Sequence, residues 1–324
     1  MRVEPDARQS AEECSALAHV TRSALERAGL AVSPKEATHP AIVEAAHVAQ
    51  HILRAGPPAP ERLARLSGMV DLARSAIAAP PASGLPWPAR LAAPGPHLER
   101  SVVRALKSLP APGGETGTPQ GSVVDAWRAR DEEVFRETIA LLAANWPGAH
   151  AELGQILLQI ALLDGPAIDG FTDFTVHGAV FIRRSRLAPD PDALPGAVRL
   201  AEALVHEGTH TRCNAASVAA QPFLRPVDDD GPMVSTPLRL DPRPLTGLFQ
   251  QMVVLARSVS LYRRLLAGDT ADSGAAAAVR SRHDQLALSA ADAVRTMTEH
   301  RDVLTDHGRT VLADAAEVAQ VRVR

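Results

Sequence analysis

The chain has 324 residues and only two cysteines, Cys14 and Cys213, 199 positions apart. So few exclude a disulfide framework and a cysteine-rich zinc module, and they favour a reducing compartment. Aromatic residues are also scarce, at 3% with a single tyrosine, which leaves no stacking surface for nucleic-acid bases. The net charge is −3, and the arginines are scattered, so the basic stripe of a nucleic-acid binder is missing. No uninterrupted apolar run approaches the ~20 residues that span a bilayer. The first residues, MRVEPDARQSAEEC, lack the apolar core of a signal peptide. The expectation is a cytoplasmic protein that binds neither nucleic acid nor membrane; its oligomeric state is not readable.

What the chain does have is alanine and proline. Hydrophobic residues make up 46% and charged residues 22%, the balance of a globular protein. Alanine-rich segments with helical spacing, broken by Pro and Gly, predict a mainly α fold. Helices are expected at about 10–30, 41–55, 63–79, 123–145, 149–163, 195–220, 245–267 and 274–301, with a last one starting near Thr305. The run FTDFTVHGAVFIRRS at 171–185 is rich in Phe, Thr, Val and Ile and predicts a strand or hairpin. The Pro-containing stretch 221–244 reads as irregular. The Gly- and Pro-rich run at 110–122 suggests a linker. It divides a Pro-rich N-terminal region, 1–122, from a second region, 123–324. The fold class is therefore α+β: mainly α with a small β element.

The segment His206-Glu207-Gly208-Thr209-His210 carries the chemistry. Histidines at i and i+4 share one helical face, so both imidazoles can converge on one ion. Glu207 sits about 100° round the helix from His206, within reach of a metal-bound water rather than of a third ligand position. This suits a helix with two metal ligands, His206 and His210, and one catalytic acid/base group, Glu207. By default the motif points to a zincin-like HExxH helix beside a strand or hairpin. Cys213 shares the histidine face, but three ligands spread over seven residues of one straight helix hardly meet at one ion. It reads as a small buried thiol near the site. His177, in the strand candidate, is a cleft-lining candidate, and His300 and His307 are reserve ligands. His47 and His51 repeat the i, i+4 spacing without a Glu. Asp228–Gly231 reads as an acidic turn, since the spacing of a calcium loop is absent.

From about Leu158 onwards the chain resembles the HExxH proteins of peptide-modification gene clusters, regarded as Fe(II)- and 2-oxoglutarate-dependent peptide β-hydroxylases. The landmarks are the strand-like Thr175–Val180, the motif LVHEGTH, the stretch STPLRLDPRPLTGLFQQMVVL at 235–255 and the ending VLTDHGRTVL at 303–312. The resemblance implies iron held by His206 and His210, with Glu207 the motif acid. Arg243 is implied as the anchor for the carboxylate of 2-oxoglutarate, a role that suits a guanidinium fork, with Arg239 in reserve. The partner implied is a ribosomal precursor peptide, hydroxylated at an unactivated side-chain carbon. Where the family has a third histidine ligand, alignment on Gly247 places Gln250. Either Gln250 ligates, another group replaces it, or the site is altered. Two other readings stay open: a zinc metallopeptidase with Glu207 as general base, and a catalytically altered HExxH protein that binds a peptide or partner.

Overall fold

A computed structural model describes residues 1–78, 87, 89–109, 121–192, 194–226, 232–237, 239–268 and 274–322, with the side chains of 239–241 outside that description. The chain is mainly helical with a small sheet. Among the described residues no helix is long and apolar enough to cross a membrane. Two compact units form, each discontinuous in sequence. The first comprises Met1–Ser10, Glu133–Leu153 and Arg186–Arg324; the second comprises Ala11–Glu132 and Gly154–Ser185. The boundary expected at 122/123 falls inside the second unit.

In the second unit, helices α1 (Ala7–Arg27), α2 (Pro34–Ala37), α3 (Pro40–Arg54) and α4 (Pro60–Ala78) precede the short strand β1 (Arg90–Leu91) and helix α5 (Pro96–Lys107). Leu66, Val70 and Ala73 of α4 recur at helical spacing and meet Ile42, Ala45 and Ala49 of α3 in one core. The sheet is built on β3 (Gln159–Asp164). Strands β1 and β5 (Ala179–Arg183) flank it in parallel, β2 (Val123–Asp125) pairs with it antiparallel, and β4 (Gly170–Thr172) pairs antiparallel with β5. Two expectations are corrected here. The helix expected at 149–163 ends as α7 (Pro147–Ile156), and the rest becomes β3. A short apolar run reads alike as buried helix or buried strand; with neighbours on both sides, QIALLD is a strand. The helix expected from Val123 likewise starts only as α6 (Ala129–Asn145), after β2. The strand expected at 171–185 is present as β4, a 3₁₀ turn and β5.

The first unit is organised by α8 (Gly196–Ala219), α9 (Leu245–Ala267), α10 (Ala276–Glu299) and α11 (Asp306–Ala319). Helix α9 is buried along nearly its whole length, from Leu245 to Leu265, as a central helix must be if it is apolar all round. Helix α8 begins at Gly196 because nothing larger fits: a Cβ there would lie 2.1 Å from the Leu187 carbonyl oxygen. The stretch expected to be irregular contains a hairpin, β6 (Met233–Thr236) and β7 (Arg239–Pro244). Pro242 and Pro244 hid it, yet a two-stranded ribbon tolerates proline where the missing N–H would face outward. The chain passes from β7 directly into α9. The ending Leu304-Thr305-Asp306-His307-Gly308 is a helix start: the Thr305 hydroxyl accepts the Gly308 N–H at 3.1 Å.

Candidate functional site

Four polar residues recur at every fourth position along α8: Glu202, His206, His210 and Asn214. Steps of four drift only about 40° round a helix, so they make one polar stripe on a helix whose other residues, Val198, Leu200, Ala201, Leu204 and Val205 among them, are buried in the core. The stripe is readable in the sequence, although its two ends are not part of the HEGTH pattern.

The imidazoles of His206 and His210 sit with ring centroids 5.2 Å apart at 62°. At that separation both can reach one ion, a metal–nitrogen bond being about 2.0–2.1 Å. Burial, and after it the neighbouring His210, lower the His206 pKa to about 3, so the ring is neutral and offers a lone pair. A third of its side chain still meets solvent, which leaves the ring reachable. Glu207 is buried, with Oε1 4.0 Å from His206 Nε2.

Gln250, in the second turn of α9, is bonded to the second histidine. Its Oε1 lies 2.8 Å from His210 Nδ1, and its Nε2 donates to Asn214 Oδ1 at 3.3 Å. With the amide nitrogen spent on Asn214, the oxygen must accept, so Nδ1 carries the proton and Nε2 carries the lone pair. This is how a second residue fixes the tautomer and the direction of a metal-ligating histidine. Asn214, which closes the chain, was missed at the sequence level; its signal was position i+4 from His210.

The other end of the stripe is also tied down. Glu202 accepts from the Tyr262 hydroxyl at 2.6 Å and from Arg282 at 2.5 and 3.1 Å. Burial alone would raise this carboxyl, but the hydrogen bond and charge of Arg282, with the Tyr262 hydroxyl, bring it below its ordinary range. Two residues past His210, Arg212 turns to the opposite side of α8 and reaches Glu152 at 3.3 Å, a carboxylate it shares with Arg257 at 2.5 Å. Both ends of the motif are thus held by ion pairs, the one at Arg212 buried on both sides and the one at Glu202 closed by a half-buried Arg282.

Arg243, half-buried, is the penultimate residue of β7, opposite Val234 and two residues before α9 begins. A Cβ on Gly247 would lie 3.7 Å from the Cβ of Arg243, so Arg243 overlies the first turn of the helix that carries Gln250. The side chain of Arg239 and the run 228–231 lie outside the described residues. Cys213 is fully buried, and burial pushes its thiol up to about 12; it is an inert packing thiol. His177 belongs to the second unit. It is buried there, with its ring 6.2 Å from Phe174, and burial lowers its pKa to about 4. His300 caps the end of α10, and His307 packs on Phe223 at 4.7 Å. His47 packs on Phe174 at 5.3 Å in the second unit. Among the described residues no third His, Cys, Asp or Glu joins the pair in a metal-holding group. No protein-family model matches the chain, and no curated protein matches it.

Proposed function

We propose that this chain is a metal-dependent oxygenase that hydroxylates an unactivated side-chain carbon of a ribosomal precursor peptide, using Fe(II), 2-oxoglutarate and dioxygen at His206 and His210, in the cytoplasm. The observation that carries the reading is the facing pair of imidazoles on α8, with His210 oriented through Nδ1 by Gln250. The resemblance of the segment from about Leu158 onwards to the HExxH peptide β-hydroxylases supports iron over zinc. The α8 helix and the β6–β7 hairpin that leads into α9 suit a zincin-like arrangement.

The donor set fits a mononuclear ion. Both rings are half-buried, one is held neutral by its surroundings, and the other has only Nε2 left to offer. Non-haem iron oxygenases hold the metal with two histidines and a third protein ligand, leaving the other positions open for cosubstrate and dioxygen; the described residues supply the two histidines. When bound, iron would let dioxygen supply the oxidising power to replace C–H by C–OH, one oxygen atom going to the substrate and the other to 2-oxoglutarate as it is decarboxylated to succinate. The protein's own contributions are positional. His206 and His210 hold the ion, and Gln250 with Asn214 aims His210, so Gln250 is an orienting residue in this reading rather than the third ligand. Arg243 anchors the cosubstrate carboxylate with its planar fork. Glu207 lies buried beside His206, with its carboxyl oxygen 4.0 Å from the ring, where an acid/base group would serve the site.

That same carboxylate supports a second reading, a zinc peptidase in which Glu207 takes the proton from an attacking water. Anaerobic titration with Fe(II) and 2-oxoglutarate separates the two. A weak visible charge-transfer band, lost in His206→Ala, is the expected result. Stoichiometric zinc without such a band, together with amide cleavage, would replace the oxygenase with the peptidase. Failure to bind either metal would leave a peptide- or partner-binding module.

A further inference from the structure

The second unit contains a cavity of about 610 Å³ between α4, β1 and the start of α5, within the range of small-molecule sites. None of its residues belongs to the HEGTH stripe. Helix α4 carries two apolar faces. One, Leu66–Val70–Ala73, fills the core with α3. The other presents Met69, Leu72 and Ala76 to the cavity, and Leu72 remains 55% exposed. Leu91, Ala92 and Pro94 form the facing wall.

The charged lining is of one sign. Arg65, Arg90 and Arg100 reach the cavity, and no Asp or Glu lines it among the described residues. Arg100 is already held by Glu44 at 2.6 Å, and Arg90 donates to the carbonyls of Ala76 and Ile77 that close α4, at 3.3 and 3.2 Å. Arg65 is exposed at the rim. The floor is polar but uncharged. His97 and Gln159, both buried, bond each other at 2.8 Å, and burial lowers the His97 pKa.

We propose that this cavity binds a small organic acid, its apolar body against Met69, Leu72 and Ala76 and its anionic group at Arg65 and the neighbouring arginines. An apolar wall with one-signed charge at its edge selects a ligand with that division. A nucleotide would be too polar for the wall, and a neutral apolar ligand would gain nothing from the arginines.

Two fluorescent probes with the same aromatic framework test this on the full chain: 8-anilinonaphthalene-1-sulfonate, an anion, and N-phenyl-1-naphthylamine, which lacks the sulfonate. The expected result is saturable one-to-one binding of both, with the anion tighter. Ala76→Trp, at an exposed position, fills the mouth and abolishes both. Arg65→Glu weakens the sulfonate about tenfold, the equivalent of one charged hydrogen bond, and leaves the amine unchanged. Leu72→Glu, a surface replacement that keeps the fold, weakens both and serves if Ala76→Trp fails to fold. The proposal is overturned if neither probe saturates, if binding survives both wall substitutions, or if Arg65→Glu affects the two probes equally.

Discussion

The two units solve the problem of buried polar groups in opposite ways. The first buries ions. Glu152, Arg212 and Arg257 are almost completely removed from solvent and compensate one another, and Glu202 is enclosed with Tyr262 and Arg282. The second buries neutral imidazoles, His97 and His177, with His39 close behind, and pairs its buried Glu44 with Arg100 and Arg104, which remain 46% and 38% exposed. A buried ion network resists pH but fails badly if one member is removed. A neutral imidazole tolerates substitution but responds to acid. The HEGTH stripe lies in the ionic unit, between two such networks, which gives its histidines fixed supports on both sides.

The sharpest way to break this contrast is to neutralise one carboxylate in each unit. Glu152→Gln leaves Arg212 and Arg257 buried with no counter-charge. Burial, followed by the charge of Arg257, already lowers the Arg212 pKa to about 10, a sign of how little solvation that site offers. The expected loss is about 3–5 kcal/mol, read from urea denaturation. Glu44→Gln in the second unit should cost about 1–2 kcal/mol, because its partners can turn to water. Equal losses would show that the two networks are not different in kind.

Acid tests the buried neutral rings. Burial, with His97 and Arg90 as further causes, lowers the His39 pKa to about 4, and burial with His47 nearby does the same for His177. Below about 6.5 the unfolded chain takes up protons that the folded unit refuses until about pH 4. The stability contributed by these neutral rings is therefore complete above about pH 6.5 and is lost as pH falls through that window. Amide exchange between pH 7 and 4 should show protection falling in β3 and α3 and, because His206 is held neutral as well, in α8. Protection in β3 and α3 that does not change over this window would contradict the assignment of acid sensitivity to these buried rings.

The sequence discloses most of the helices, because their apolar spacing is long and repeated: α9 and α8 are found within a residue or so of their observed ends. It conceals β3, since the four apolar residues Ile160–Leu163 carry no period of their own, and the β6–β7 hairpin, since its prolines read as loop. At the site, HEGTH announces itself, but the roles around it depend on partners distant in sequence. Gln250 stands where a ligand is expected, and nothing in the sequence shows that its amide oxygen meets His210 Nδ1, 40 positions away. Asn214 and Glu202 were legible as members of a four-residue repeat along α8, but only a search for polar stripes beyond the motif finds them. The Glu152–Arg212–Arg257 cluster has no local signal, since its members come from three helices.

One structural device occurs in both units, and its different use there gives the finest test. A glutamine oxygen meets a histidine nitrogen at 2.8 Å twice, as Gln250 with His210 and as Gln159 with His97. In the second unit both partners are buried and neutral, so the pair satisfies two polar groups inside the core. Gln159→Leu should then lower stability by about 1–3 kcal/mol and leave metal binding unchanged. In the first unit His210 is half-buried and solvent can replace the lost bond, so Gln250→Leu should change stability little. What it removes is the acceptor that keeps the proton on Nδ1. The expected effect is a metal affinity weakened about 10- to 100-fold, measured by competition with a chromogenic chelator. Gln250→Glu, which keeps an acceptor at the same place, should restore most of it. If Gln250→Leu binds metal as well as the parent chain while losing stability as Gln159→Leu does, the two pairs are the same structural element, and the orienting role assigned to Gln250 is wrong.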